Sequence, residues 1–226
     1  MAELPITTGQ VDFNAPGTDK PCTTWYKIVG DLDQPGSPAP LIALHGGPGA
    51  GHEYLSSVTD LYEKHGIPII FYDQIGCGRS THLRDKMGDA SFWTVDLFIQ
   101  ELDNLIDHLK LREKGFFVMG QSWGGMLTGA YASRQPKGLR KAVIVSGPAS
   151  VPVYVEGCRG LLAKLPPDVQ KTIEECERNG DYESETYEKA AAHFYRSHVC
   201  RLDPYPDDIM EGFKNLKEDP TSYLTM

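Results

Sequence analysis

The apolar positions of the chain change their period several times, and each change marks a predicted element. Two segments near the amino terminus are rich in β-branched and aromatic residues and predict an antiparallel pair of edge strands, at 7–13 and 23–30. Short apolar runs predict four further strands, at 40–44, 67–72, 115–119 and 141–146. Helical spacing of apolar residues lies between these runs, at 52–65, 92–111 and 126–134. Strands that alternate with helices predict an α/β fold, with a mostly parallel sheet and helices on both faces.

The pattern changes after Gly147 and Pro148. The residues that follow contain no strand-like run and predict helices, at about 152–164, 167–178, 185–200 and 206–217. The pair Pro166-Pro167 and the turn at Asn179-Gly180-Asp181 separate these helices. We therefore expect two domains, a core of residues 1–147 and an incomplete helical cap of residues 148–226.

Composition and charge narrow the range of partners. The chain has 226 residues, of which 40% are hydrophobic and 23% charged, as in an ordinary globular protein. Its net charge of −9 argues against nucleic acid or an anionic membrane as a partner. The five cysteines form no C-x-x-C pair, and the sequence shows neither a signal-peptide pattern nor a membrane-spanning apolar run. We expect reduced thiols and a cytoplasmic location, and the oligomeric state stays open.

The strand predicted at 115–119 runs into Gly120-Gln121-Ser122-Trp123-Gly124, and a helix follows. Strand, G-x-S-x-G and helix in this order are typical of a nucleophile elbow. Its serine stands on a sharp turn, clear of the sheet, and glycines on either side allow the strand and the helix to approach closely. The backbone N–H of Trp123 would lie at a helix N-terminus, where it can stabilise an oxyanion. An ordinary glycine–serine turn is the alternative interpretation.

A second glycine-rich loop, His45-Gly46-Gly47-Pro48-Gly49, follows the strand at 40–44. It lacks the Lys-Ser pair of a P-loop, and Gly76-Cys77-Gly78 lacks the third glycine of a dinucleotide fingerprint. In α/β-hydrolases the loop after the third strand donates the second oxyanion N–H, and we assign that donor to Gly47. A simple turn is the alternative. Since no His, Cys or Asp group has metal-ligand spacing, we expect neither a metal nor a cofactor.

Three motifs carry a family resemblance: His45-Gly46-Gly47-Pro48-Gly49, Asp73-Gln74-x-Gly76-x-Gly78-x-Ser80 and Gly120-x-Ser122-x-Gly124-Gly125. Together they resemble the proline iminopeptidases, which are α/β-hydrolase serine aminopeptidases with a helical cap. The resemblance implies release of an N-terminal proline, or another small apolar residue, from short peptides or amino-acid amides with a free N-terminus. No cofactor is implied.

The same resemblance implies roles for individual residues. Ser122 would be the nucleophile that forms an acyl-enzyme, and the N–H groups of Gly47 and Trp123 would form the oxyanion hole. The Trp123 ring would help to wall the substrate pocket. Three residues at family positions are interpreted as loop-bracing: His45, Asp73 and Arg79.

The sequence offers no clear candidate for the acid or the base of a catalytic triad after Ser122. An α/β-hydrolase supplies serine, then acid, then histidine, but no strand is predicted after Ser146. His193 and His198 are the only histidines after Ser122, and a cap histidine is their ordinary interpretation. N-capping explains the later aspartates. We expect that the triad Asp and His are not in this chain, that the chain is C-terminally truncated with part of the core absent, and that it is inactive alone.

Two alternative functions stay open. The missing acid and base favour a catalytically dead hydrolase scaffold with a binding role. A capped esterase or amidase of another substrate class would use the same elbow. Epoxide hydrolases carry an aspartate at the nucleophile position, so Ser122 argues against that branch.

Overall fold

A computed structural model describes residues 4–182 and 184–226. Six strands form one sheet in the order β1-β2-β4-β3-β5-β6. Their bounds are β1 (Ile6–Phe13), β2 (Cys22–Val29), β3 (Leu41–Leu44), β4 (Ile69–Tyr72), β5 (Phe116–Gln121) and β6 (Leu139–Val145). The β1–β2 and β2–β4 pairs are antiparallel, and the remaining pairs are parallel. The predicted fold class is confirmed, with the antiparallel pair at one edge of the sheet.

Among the described residues, seven helices match predicted segments, and two short helices, at 111–114 and 221–225, were not predicted. In chain order the described helices are α1 (Asp60–His65), α2 (Val95–His108), α3 (Leu111–Lys114), α4 (Trp123–Ser133), α5 (Val151–Leu162), α6 (Pro167–Arg178), α7 (Glu185–His198), α8 (Asp207–Glu218) and α9 (Thr221–Thr225). The helix predicted at 52–65 differs in its first half, which is a 3₁₀ segment, Glu53–Thr59. His52 precedes this segment, and both its backbone N–H and its ring Nδ1 hydrogen-bond to Asp73. Its side chain therefore does not cap the segment.

The core lies on both faces of the sheet. On one face, Ile42, Ile70 and Val118 pack with apolar residues of α2 and α4. On the other face, Leu41, Ala43 and Phe71 pack with the 3₁₀ segment and α1. A continuous apolar run such as Phe116–Met119 is typical of a strand buried on both faces, but burial alternates along β5. The described helices therefore cover the α2–α4 face of β5 more completely than its opposite face.

The chain divides into two compact units. One extends to Pro148 and includes Asp208–Met226, and the other is Ala149–Asp207. The sequence assigned residues 208–226 to the cap, whereas their contacts lie with the first unit: Asn215 donates to the carbonyl of Ala50 at 3.0 Å. Helical periodicity predicts that a helix forms and which face it buries, but not what it packs against. The boundary at 147/148 stays a prediction.

The second unit is a small set of helices with a small core. Val169 and Ile173 of α6 pack against Ala190 of α7. Ser184 caps α7 by accepting a hydrogen bond from the Tyr187 N–H at 3.1 Å.

Among the described residues, no helix has the length and apolar character needed to cross a membrane.

Candidate active site

The loops that carry the three motifs leave the same edge of the sheet. β3 ends at Leu44, β4 at Tyr72 and β5 at Gln121, and these three strands are parallel. β3 lies between β4 and β5, so the chain changes direction across the sheet at this point. In open α/β sheets, ligands bind outside the carboxyl ends of the strands at such a switch point.

Ser122 stands between the end of β5 and the start of α4. Its backbone has φ 55° and ψ −120°, a conformation that non-glycine residues adopt rarely and at a cost of about 1–3 kcal/mol. The surrounding hydrogen bonds hold it there, because the Ser122 N–H donates to the Val145 carbonyl at 3.0 Å and its own carbonyl accepts from Gly125. This is the sharp, strained turn that is typical of the serine in a nucleophile elbow.

The glycines of the elbow are required because neighbouring backbone segments lie very close to their Cα atoms. A Cβ on Gly120 would lie 1.9 Å from the carbonyl oxygen of Gly124, and a Cβ on Gly124 would lie 2.2 Å from the carbonyl oxygen of Leu44. Both obstacles are backbone atoms and have no flexible end that could move aside. The glycines therefore allow α4 to start directly against the ends of β3 and β5.

The backbone N–H groups around the elbow and the glycine-rich loop differ in their hydrogen bonding. The Gly46 N–H donates to the Tyr54 hydroxyl at 2.6 Å, and that hydroxyl donates to Gln121 Oε1 at 2.7 Å. Within residues 4–182 and 184–226, neither the Gly47 N–H nor the Trp123 N–H has a hydrogen-bond acceptor. These are the two donors that the sequence assigned to an oxyanion hole, and that assignment stays a prediction.

A buried bridge centred on Gln74 joins the two loops. The Gln74 N–H donates to His45 Nε2 at 3.0 Å, and the Gln74 side chain donates to the His45 carbonyl and accepts from Trp123 Nε1 at 2.9 Å. Since His45 Nε2 accepts, its Nδ1 carries the proton and donates to the Gly46 carbonyl at 2.9 Å. Burial lowers the pKa of His45, which favours this neutral form.

The Trp123 ring lies mainly inside the protein. It is 7% exposed and belongs to the core cluster on the α2–α4 face. Its edge packs on Phe98 at a ring-centroid distance of 5.3 Å. Its role as a wall of a substrate pocket stays a prediction.

Asp73 connects its own loop to the segment after the glycine-rich loop. Asp73 Oδ1 accepts from His52 Nδ1 at 2.8 Å and from the His52 N–H, while Oδ2 accepts from the Arg79 N–H at 3.0 Å. Burial opposes ionisation of Asp73, but these hydrogen bonds hold its pKa below the ordinary value. The Arg79 guanidinium binds Glu53 at 2.6 Å and lies over the Trp25 ring. Each of the three residues interpreted as loop-bracing contacts a second segment of the chain, and that interpretation stays a prediction.

The fold also brings together a set of metal-ligand types that sequence spacing did not reveal. His52, Glu53 and Asp73 each offer a ligand atom, and these atoms lie within 4.8 Å of one another. However, His52 donates to Asp73, and the Arg79 guanidinium lies 2.6 Å from Glu53 and 3.6 Å from Asp73. A guanidinium already supplies the positive charge there, so we assign no metal to the cluster.

No described side chain hydrogen-bonds to the Ser122 hydroxyl. Four histidines of the first unit are engaged elsewhere: His45 with Gln74, His52 with Asp73, His82 with Asp219 and His108 with Tyr26. The His198 ring packs against Phe194 of its own helix, with the ring planes tilted by 57°. The structure therefore brings together the elbow and its neighbouring loops, and it assigns no base to Ser122.

Several residues that connect the loops of the site were not predicted from the sequence. Tyr54, Gln74 and Glu101 each accept or donate between segments that are far apart in the chain. Gln74 lies inside the quoted Asp73-Gln74 motif, which was the available signal. The only sequence feature that distinguished Glu101 was its charged side chain on the apolar side of a predicted helix.

Comparison with known proteins agrees with this geometry. The sequence model of the alpha/beta hydrolase fold family matches residues 39–223, so the chain belongs to that family. A proline iminopeptidase from Lactobacillus delbrueckii subsp. lactis is 35% identical over 204 residues, which are 89% of this chain and 66% of that protein. The chain thus spans about two thirds of the length of this relative.

Two solved structures are also similar. The crystal structure of VinJ is 43% identical with a TM-score of 0.89, over 97% of this chain and 70% of that one. The proline iminopeptidase of Mycobacterium smegmatis is 36% identical with a TM-score of 0.80, over 95% of this chain and 69% of that one. Within the α/β-hydrolases, the chain therefore belongs to the proline iminopeptidase family, as its motifs implied.

Proposed function

We propose that the chain acts as a serine aminopeptidase, which releases an N-terminal proline or another small apolar residue through an acyl-enzyme on Ser122. The observation that carries the proposal is the elbow, where Ser122 has φ 55° at the start of α4. The similarity to proline iminopeptidases supports the substrate class. Short peptides or amino-acid amides with a free N-terminus are the proposed partners, in the cytoplasm, where the five free cysteines would stay reduced.

In this mechanism the Ser122 oxygen attacks the carbonyl carbon of the N-terminal residue, and a base takes the hydroxyl proton. The N–H groups of Gly47 and Trp123 would stabilise the negative oxygen of the tetrahedral intermediate. The proton is then returned to the leaving amine, and water releases the acyl group from Ser122. We propose that the base and its acid lie outside residues 1–226, since no described side chain reaches the Ser122 hydroxyl.

The test compares residues 1–226 with any longer form that the gene encodes, on a proline arylamide and on its N-acetylated counterpart. We expect the longer form to cleave only the amide with a free N-terminus, and Ser122→Ala to abolish cleavage. The 226-residue form should be slower by roughly 10⁴- to 10⁶-fold, which is the loss seen when triad members are removed. Equal rates on both amides would exclude the aminopeptidase assignment.

A binding protein without turnover is the second candidate, favoured by a Ser122 hydroxyl that has no hydrogen-bond partner among residues 4–182 and 184–226. It predicts that a proline amide binds to both forms and is cleaved by neither. Comparable turnover by the 226-residue form, abolished by Ser122→Ala, would instead show that a base lies within this chain.

A further inference from the structure

A fully buried carboxyl group lies behind the loop that holds the Gln74 bridge. Glu101 is on α2 and is 0% exposed. Its Oε1 accepts from the Thr24 hydroxyl at 2.6 Å and from the Ile75 N–H at 2.8 Å, and its Oε2 lies 3.0 Å from the same N–H. One side chain therefore fastens α2 to β2 and to the backbone just after β4.

The backbone group that Glu101 holds is adjacent to the bridge. Ile75 follows Gln74, which makes hydrogen bonds to His45 and to Trp123. A small displacement of the Ile75 N–H would move the Gln74 backbone, because the two residues share a rigid peptide unit. Glu101 is thus connected to His45 and to Trp123, the first residue of α4, through two consecutive residues, Ile75 and Gln74.

The surroundings of Glu101 allow it to change charge near neutral pH. Burial raises its pKa to about 8, and the negative charge of Asp73 acts in the same direction. The other titratable groups near it are Tyr72 on β4, Cys77 on the Asp73 loop and Cys22 on β2, and burial raises the pKa of each. The Tyr72 hydroxyl is buried and has no hydrogen-bond partner among the described residues.

We propose that Glu101 is a positioning residue of the candidate active site, whose charge state controls the Gln74 bridge between the His45 loop and Trp123. An ionised carboxylate accepts a stronger hydrogen bond from the Ile75 N–H than a neutral carboxyl group does. Ionisation of Glu101 therefore strengthens the hydrogen bond that holds the segment after β4, which contains Asp73 and Ile75, against α2. Protonation of Glu101 weakens that hydrogen bond. The inference rests on the proposed function for its catalytic meaning, but its structural part can be measured without turnover.

The experiment follows the indole N–H signals of the 226-residue chain by NMR as the pH is raised. The chain has three tryptophans, and Trp25→Phe and Trp93→Phe identify the Trp123 signal by elimination. We expect the Trp123 Nε1–H signal to shift with a midpoint near pH 8. The shift should disappear in Glu101→Gln, which has the same shape but does not ionise.

Thr24→Val is the matched control, because it keeps the carboxyl group and removes one hydrogen bond that lowers its pKa. The midpoint should move to higher pH in this variant. An unchanged Trp123 titration in Glu101→Gln would overturn the proposal. If that variant does not fold, the wild-type chain decides alone: a Glu101 carboxyl ¹³C signal that titrates while Trp123 stays still would also overturn it.

Activity gives a second, separate readout in any form that cleaves a proline arylamide. Glu101→Gln should remove a change in kcat near pH 8 and leave KM almost unaltered, because Glu101 touches no substrate. Absence of turnover in every form would refute the proposed function and leave the NMR result valid. An unchanged pH profile of kcat in an active form would refute the positioning role.

Discussion

At the scale of single residues, the site depends on buried polar groups that have partners far away in the chain. His45 is kept neutral and in one tautomer by the Gln74 N–H, 29 residues later. The Tyr54 hydroxyl joins the Gly46 N–H to Gln121, 67 residues later. Such groups are costly to bury without partners, so each hydrogen bond fixes the position of its loop as well as satisfying an atom.

Glu101 gives a stability prediction at this scale. Its pKa rises from 4.5 to about 8 on folding because burial disfavours the charged form. The unfolded chain therefore releases this proton at lower pH than the folded chain does, and the stability that Glu101 contributes falls as the pH rises from about 4.5 to about 8. Urea unfolding of the wild-type chain and of Glu101→Gln should show this slope, at most roughly 1.4 kcal/mol per pH unit, in the wild-type chain alone.

Other titrating groups affect both proteins equally, so the difference between the two curves isolates Glu101. We expect the difference to shift in favour of the glutamine variant by at least about 1 kcal/mol between the two ends of that range. Parallel curves would mean that Glu101 ionises in the folded protein as readily as in the unfolded one.

At the scale of elements, the sheet and its helices could be predicted because their signal is local. The run at 67–72 is apolar and short, and β4 (Ile69–Tyr72) lies within it. The elbow was also local, since G-x-S-x-G carries its own geometric requirement. Gln74, Glu101 and Tyr54 could not be placed, because their hydrogen bonds cross between strands whose order the sequence does not state.

The part of the fold against which α8 and α9 pack is another property that the local sequence pattern does not predict. Asp219 follows α8 and is fully buried, with His82 Nδ1 at 2.5 Å and Arg84 Nε at 3.5 Å. Burial opposes ionisation of Asp219, but hydrogen bonds from Thr221 and His82 keep its pKa below the ordinary value. The hydrogen bond between His82 and Asp219, together with the Arg84–Asp219 ion pair, thus fixes these helices on the first unit.

The packing of β5 against α4 gives an element-scale prediction. Gly124→Ala would place a Cβ 2.2 Å from the Leu44 carbonyl oxygen, and the backbone of β3 would have to move. We expect it to lower the free energy of unfolding by roughly 2–4 kcal/mol, measured by urea unfolding. Gly129→Ala on the same helix is the matched control, since its Cβ would meet only Ile144 Cδ1 at 3.5 Å.

The control should stabilise the protein by roughly 0.5–1 kcal/mol, because alanine favours a helix more than glycine does. Similar effects of the two substitutions would contradict the conclusion that α4 starts in direct contact with the ends of β3 and β5.

At the scale of the whole molecule, the two edges of the sheet differ in character. β1 forms one edge, and the residues after Ile6 are polar, Thr7 and Thr8. β6 forms the other edge and pairs with β5 alone among the described strands. Three successive apolar residues of β6 are exposed: Val143, Ile144 and Val145. An edge strand with free backbone groups and an apolar surface is a template for pairing with another chain.

This difference predicts where the 226-residue chain aggregates. Ile144 is 55% exposed on β6, and Ile6 is 53% exposed on β1, so lysine at either position removes a similar exposed apolar group. Ile144→Lys should slow aggregation several-fold in light scattering at fixed concentration, because a charge on an edge strand opposes pairing between chains. Ile6→Lys should have little effect, since its strand offers no apolar run. Equal slowing by both substitutions would show that net charge, and not the β6 edge, controls association.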